Sequence, residues 1–133
     1  MIRVDSSSFV PIYEQIKAQL KLRIAARILK PRDPLPSIRE LANELLINPN
    51  TVARAYREME KEGFIYTRKG KGCFVSDNSS SLAKEERDEI LNKIFDKAIE
   101  EAREYTLTRN DIEALFHRRI DTFFGNTRED RNE

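Results

Sequence analysis

Asn50, Arg54, Arg57 and Lys61 follow one another at steps of three and four residues. On an α-helix such steps return to one face. An amide and three cations on one stripe suit a definite chemistry. Arginine and lysine bond phosphate oxygens, while asparagine and arginine also match the hydrogen-bonding edges of bases. Ala53 shares this face and leaves room for close approach. Val52, Ala55, Tyr56 and Met59 fall on the opposite face, giving the helix an apolar side to bury. Such a helix fits the major groove of double-stranded nucleic acid.

The flanking residues define the element that holds this stripe. Asn48 is a good N-cap, Pro49 falls at the first helical position, and Ile47 and Val52 have the spacing of a hydrophobic staple. The predicted helix runs over 49–62, and Gly63 ends it. Upstream, Ser37 and Glu40 are spaced as a capping box for a short helix. Leu41, Ala42, Leu45 and Leu46 are its expected buried face. Two helices with a tight break at 46–48 make a helix-turn-helix. Further upstream, Ile12, Ile16, Leu20, Ile24 and Ile28 recur every four residues and predict a helix over 11–29. Pro31, Pro34 and Pro36 prevent its continuation.

Beyond Gly63 the period changes. Phe64–Thr67 and Cys73–Ser76 read as short strands, with Arg68, Lys69, Gly70, Lys71 and Gly72 at a basic tip between them. Glycine lets a backbone approach a nucleic acid closely, so this tip suits a phosphate or minor-groove contact. The fold class expected is mainly α with a small β-hairpin: a winged helix-turn-helix over 1–76. Residues 77–81 (Asp-Asn-Ser-Ser-Ser) read as a linker, and 125–133 as a disordered tail.

Two helical patterns occupy 82–124. One, over about 83–104, places Ile90, Leu91, Ile94, Phe95, Ala98, Ile99 and Ala102 on a stripe. The other, over about 109–124, does so with Ile112, Leu115, Phe116, Ile120, Phe123 and Phe124, and Thr108 can cap it. Two helices enclose no core alone, whereas four do, so a second copy of the chain is the economical partner. The expected dimer core is Ile90, Ile94, Phe95, Ile99, Ile112, Phe116, Ile120 and Phe123. The alternative is that these helices fold back onto the winged helix.

The chain is 133 residues with a net charge of +1. That figure conceals an asymmetry: residues 1–77 carry +5 and residues 78–133 carry −4. Only the first part is expected to meet a polyanion. No run of about 18 apolar residues exists, so no membrane partner is expected. Cys73 is the sole cysteine, which fits a reducing cytoplasm. His117 is the sole histidine, so no catalytic His/Ser/Asp or Cys/His set is credible, and no metal or cofactor is expected. The segment Gly70-Lys71-Gly72 is too short for a phosphate-binding loop and opens no helix. An enzyme is therefore not expected. The rival reading is a winged helix serving as a protein-interaction module.

These residues resemble the GntR family of transcription regulators. The similarity covers about residues 9–76 and lies in PIYEQI at 11–16, LPSIRELA at 35–42, NTVARAY at 50–56 and EGFIYTRKGKGCFV at 62–75. The short two-helix remainder resembles the YtrA-like subfamily. The resemblance implies a homodimeric winged-helix repressor on a two-fold related DNA operator. Such regulators often control adjacent transporter operons and commonly their own gene. It also leaves room for a small-molecule effector. It implies DNA contacts by Arg39 of the LPSxR motif, by Thr51 and Arg54, and by Gly72 at the wing tip; Ser37 is a further expected DNA contact. Three departures stand out. Asn48-Pro49 replaces a common Ser-Arg; arginine lies at 54 where other subfamilies have it at the position of Ala53; and Arg27 and Arg32 replace usual glycines. Arg27 and Arg32 are expected to be surface charges.

Overall fold

The computed structural model describes residues 2–125. The tail expected over 125–133 lies, apart from Gly125, outside the described residues. The elements are α1 (Ile12–Ala25), α2 (Ile38–Leu45), α3 (Pro49–Glu62), β1 (Ile65–Arg68), β2 (Gly72–Val75), α4 (Ser79–Glu104) and α5 (Arg109–Phe124). The fold is mainly helical with one antiparallel hairpin, a winged helix-turn-helix followed by a helical segment. The chain divides into two compact units, Met1–Glu89 and Ile90–Glu133.

The core of the first unit follows the apolar periods. Ile16, Leu20 and Ile24 of α1 meet Leu41 and Ala42 of α2, and Val52, Ala55, Tyr56 and Met59 of α3. Phe64, Ile65, Val75 and Ala83 complete it. Asn48 caps α3 by accepting from the Asn50 N–H at 2.8 Å, and Pro49 opens the helix. Gly63 closes it at φ 92°. The Ser37 half of the expected capping box is in place, its hydroxyl oxygen accepting from the Glu40 N–H at 3.0 Å.

Two apolar expectations need correction. Leu46 is 90% exposed rather than buried. The helix ends at Leu45, and Leu46 turns left-handed at φ 56°, which swings its side chain off the buried stripe. Ile28 is likewise exposed, because α1 ends at Ala25. There the Arg27 N–H donates to the Ile24 carbonyl and the Ile28 N–H to the Arg23 carbonyl, a Schellman closure. Arg27 holds its left-handed position at φ 60°, and Arg32 is left-handed too, at φ 71°. Both arginines are exposed. The usual glycines at these positions thus have a backbone cause.

The proline-rich segment after α1 is extended and lies along β2. The Arg32 N–H donates to the Val75 carbonyl, the Val75 N–H to Asp33, and the Leu35 N–H to Cys73. Pro34 and Phe74 face each other as the non-hydrogen-bonded pair of this bridge. The wing is one residue out of step with expectation. Arg68 pairs with Gly72, leaving Lys69, Gly70 and Lys71 at the tip, while Phe64 belongs to the core.

The residues before α1 form an ordered arm that the sequence reading did not anticipate. Gln15 accepts from the Asp5 N–H and donates to the carbonyls of Asp5 and Val10. Gln19 exchanges the same kind of bonds with Arg3, and Ile2 is buried.

The segment expected as a linker also needs correction. Ser79–Ser81 form the start of α4, with Ser79 and Ala83 buried and Leu82 packed beside Gly63. The composition suggests a linker, but burial of Ser79, Leu82 and Ala83 against the core draws this stretch into helix. The second unit holds the rest of α4 and α5. Thr108 and Asp111 cap α5 reciprocally. Phe95 and Phe116 meet edge to face at 5.8 Å. None of the residues of α5 is buried, and Ile90, Ile94, Phe95, Ile99, Phe116 and Phe123 all stay exposed in the single chain.

Arg27 is left-handed without being glycine, as are Arg32 and Leu46, and the fully buried Ser79 hydroxyl has no hydrogen-bond partner. Replacing Arg27 with Gly and Ser79 with Ala should each raise unfolding stability by up to about 1 kcal/mol. Denaturant midpoints of the two variants beside the parent check this.

Candidate nucleic-acid interface

The surface to be explained is the open side of α3 with the wing. Packing of α3 against α1 and α2 buries Val52, Ala55, Tyr56 and Met59. The helix is thereby rotated so that Asn50, Arg57 and Lys61 face outward, all exposed. Thr51 is half-buried beside them. Tyr56 fixes the rotation from beneath: its hydroxyl donates to the Pro36 carbonyl at 2.7 Å. Burial pushes that hydroxyl well above its ordinary pKa, with Cys73 and Glu40 adding to the rise. It therefore remains a donor throughout the physiological range.

On the α1 flank, α3 is tied by alternating charges. The Lys17 ammonium, on a residue only 5% exposed, lies 2.8 Å from Glu62 and 3.3 Å from Glu58. Glu62 also receives Lys21 at 2.9 Å, and Lys21 reaches Glu86 of α4 at 2.9 Å while lying over the Phe64 ring. Glu58 in turn accepts from Arg54 Nε at 3.1 Å. The result is a ladder of alternating sign, Arg54–Glu58–Lys17–Glu62–Lys21–Glu86, joining three helices.

Arg54 is the site residue whose surroundings differ most from a bare basic stripe. Its guanidinium carbon sits 3.7 Å from the centre of the Tyr13 ring, and a terminal nitrogen donates to the Tyr13 hydroxyl at 3.0 Å. The side chain is still 54% exposed. Tyr13 and Glu58 were not among the site residues expected. The Arg54–Glu58 pair has the i,i+4 spacing of a helical ion pair and was readable from sequence. Tyr13 lies on another helix and was not.

Ser37 and Arg39 lie at the exposed start of α2. Because Ser37 uses its oxygen as acceptor in the cap, its hydroxyl proton remains available to donate. On the wing, Ile65 and Val75 pair on the core side, and Tyr66 stacks on Phe74 on the other at 5.7 Å. Thr67 and Cys73 share the core side, where the Thr67 hydroxyl donates to Glu60 at 2.9 Å. Cys73 is thus a packed residue. The turn closes by the Lys71 N–H donating to the Arg68 carbonyl at 2.9 Å. Gly70 and Gly72 adopt φ 79° and 108°, and open space surrounds both. Backbone conformation, not crowding, calls for glycine there. Arg68, Lys69 and Lys71 are exposed. Among the described residues, no group of three or more His, Cys, Asp or Glu is placed to hold a metal ion.

A helix-turn-helix with an open basic face and an adjoining basic hairpin defines the class of winged-helix DNA-binding transcription regulators. Comparison with known proteins makes this specific. The model of the gntR family of bacterial regulatory proteins matches residues 12–75. The HTH-type transcriptional repressor YtrA of Bacillus subtilis is 49% identical over 81 residues, which are 61% of this chain and 62% of that one. The chain thus spans just under two thirds of that relative's length. A solved GntR-family transcription factor, YtrA from Sulfolobus acidocaldarius, is 38% identical, with 74% of this chain and 96% of that one covered at a TM-score of 0.58. A transcriptional regulator from Oenococcus oeni is 31% identical, with 88% and 97% covered at a TM-score of 0.74. The chain belongs to the GntR family, in its YtrA-like subfamily, and is a sequence-specific DNA-binding transcription regulator rather than an enzyme. No helix among the described residues is long and apolar enough to cross a membrane.

The ladder makes the seat of α3 sensitive to pH. Burial by itself would raise the Glu58 and Glu62 carboxyls, but the bonds from Lys17, with Arg54 and Lys21, lower both. Burial would likewise lower Lys17, but Glu62 and Glu58 raise it. Depressed carboxyls stabilise the fold above about pH 4.3 and lose that effect as pH falls through their folded values. A raised lysine stabilises below about pH 10.4 and loses its effect as pH climbs through its folded value. Stability should therefore hold a plateau between these limits. Replacing Glu62 with Gln should cost about 1–2 kcal/mol on the plateau, discounted because the carboxylate is partly exposed. Lys17→Met, which removes one partner and leaves Glu58 and Glu62 facing each other, should cost about 1–2 kcal/mol at pH 7 because both carboxylates stay partly solvated, and should flatten the acid limb. Denaturant unfolding across pH checks both.

Proposed function

We propose that this chain is a homodimeric repressor that grips a two-fold related operator with two copies of the α3–wing surface. In this reading Asn50 and Arg54, in the first turns of α3, approach base edges. Arg57, Lys61, Ser37 and Arg39 hold phosphates, and Arg68, Lys69, Lys71 and Gly72 bring the wing against the backbone. The observation that carries the reading is the exposure of Asn50, Arg57 and Lys61 on a helix whose opposite face is wholly buried. Repression is supported by the similarity to the Bacillus subtilis repressor. A transporter-type operon, and the regulator's own gene, are the targets proposed.

Dimerisation is supported by the second unit. Its apolar residues leave Ile94 57% and Phe123 77% exposed. Between α4 and α5 lies an apolar groove of about 450 Å³, bordered by Phe95, Ile99, Ile112 and Phe116. Apolar surface of this kind on a soluble chain marks an interface, and a second copy covers it with the same residues.

Replacing Ile94 with Asp should halve the mass seen by sedimentation at micromolar concentration. Operator affinity should fall by at least about tenfold, because the second half-site loses its effective concentration. A variant still dimeric and still tight would move the contacts elsewhere. Salt separates this reading from a protein-interaction module. Operator binding should weaken steeply with salt through counterion release, and Lys61→Ala should lower that slope by about 1 while weakening all sequences alike. Salt-independent binding would favour the module.

A further inference from the structure

The PIYEQI motif places Tyr13 at the start of α1, away from the α3 face, yet its ring is what Arg54 rests on. We propose that Tyr13 is a specificity-determining residue that acts through Arg54, setting the guanidinium plane for the reading of a guanine. The proposal deepens the reading above and rests on its assignment of Arg54 to base edges.

Three contacts define the arrangement. The guanidinium carbon lies over the Tyr13 ring, 3.7 Å from its centre. A terminal nitrogen donates to the Tyr13 hydroxyl at 3.0 Å, and Nε donates to Glu58 at 3.1 Å. A guanidinium has five N–H donors in a fixed fork. Two are engaged, and the three that remain lie on the two terminal nitrogens. Three donors on two adjacent nitrogens are enough for the paired donation that O6 and N7 of guanine accept in the major groove. Neither Asn50 nor Arg57 has a ring beneath it, so Arg54 alone among the three is held before DNA arrives. An arginine ordered in advance loses less rotamer freedom on binding, and its plane is chosen by the protein. Glu58 is itself held by Lys17 at 3.3 Å, so the carboxylate that fixes Nε is part of the ladder rather than a loose surface acid. Tyr13 is only partly buried and packs against the core. A change of its ring chemistry can therefore keep its volume.

The test uses the full chain. Tyr13→Leu retains apolar volume but has neither aromatic face nor hydroxyl; Tyr13→Phe retains the face alone. These are compared with Arg54→Ala and with Tyr13→Leu/Arg54→Ala. Each variant is assayed for affinity to the operator and to random duplex, and for base preference by selection from a randomised pool. Thermal unfolding confirms that each is folded. Arg54→Ala should lose roughly ten- to hundredfold on the operator and relax preference at one guanine. Tyr13→Leu should relax the same position and leave affinity for random duplex unchanged, while Tyr13→Phe should keep the preference. The double variant should be no weaker than Arg54→Ala. Preference retained in Tyr13→Leu, or losses that multiply in the double variant, would overturn the role of Tyr13 while leaving Arg54 as the reader. If Arg54→Ala lost equally on operator and random duplex, the base-edge assignment itself would fall, and the proposal with it.

Discussion

Everything on the open side of α3 depends on how that helix is seated, and the buried Lys17 ammonium is the strictest constraint on that seat. A charge so far removed from water is tolerated only with opposite charges and good hydrogen bonds around it. Glu58 and Glu62 supply both, one helical turn apart on α3. The apolar face of α3 would accept small rotations, since hydrophobic contact is not directional. Two carboxylates closing on one ammonium would not. Tyr56 imposes a second fixed point from the far flank through the Pro36 carbonyl. With both flanks pinned, the outward direction of Asn50, Arg57 and Lys61 is determined.

The ladder has a further structural role within the first unit. Lys21 joins Glu62 of α3 to Glu86 of α4. Ser79, Leu82 and Ala83 bring the beginning of α4 onto the same core. The winged helix therefore does not end with its wing. Its compact unit reaches Glu89 and includes the beginning of the helix that continues into the second unit.

Much of this was legible in the sequence, because it rests on local chemistry. Asn48, Pro49 and Gly63 mark the ends of α3, and the period of Val52, Ala55, Tyr56 and Met59 marks its buried face. The hairpin shows in its composition, although both strands lie one residue nearer the tip than expected, with Phe64 serving the core before β1 starts. Leu46 and Ile28 were misjudged for one reason: each follows the end of its helix, where a left-handed residue breaks the period. Ser79–Ser81 were misjudged because composition outweighed the apolar residues just beyond. What could not be read was contact between distant segments. Lys17 looks like any surface lysine until α3 arrives with two carboxylates. Tyr13 looks like a half-buried aromatic until Arg54 lies on it. The arm held by Gln15 and Gln19 depends on side chains that carry no periodic signal. Whether the open face of the second unit meets another copy is likewise a property of assembly rather than of sequence.

The proline-rich stretch beside the wing has a consequence for solubility. A two-stranded hairpin normally offers two open edges to which a foreign strand can add. Here the outer edge of β2 is occupied by residues 32–35, and in that stretch Pro34 sits opposite Phe74. In a non-hydrogen-bonded pair the backbone nitrogen points away from the neighbour, toward where another strand would attach. Proline has no N–H to offer at that spot. The outermost rim of the sheet therefore lacks a donor where an incoming strand would need one. The other edge, β1, is only four residues long and ends in Arg68. The chain thus carries a hairpin poorly suited to recruiting other strands into a growing sheet.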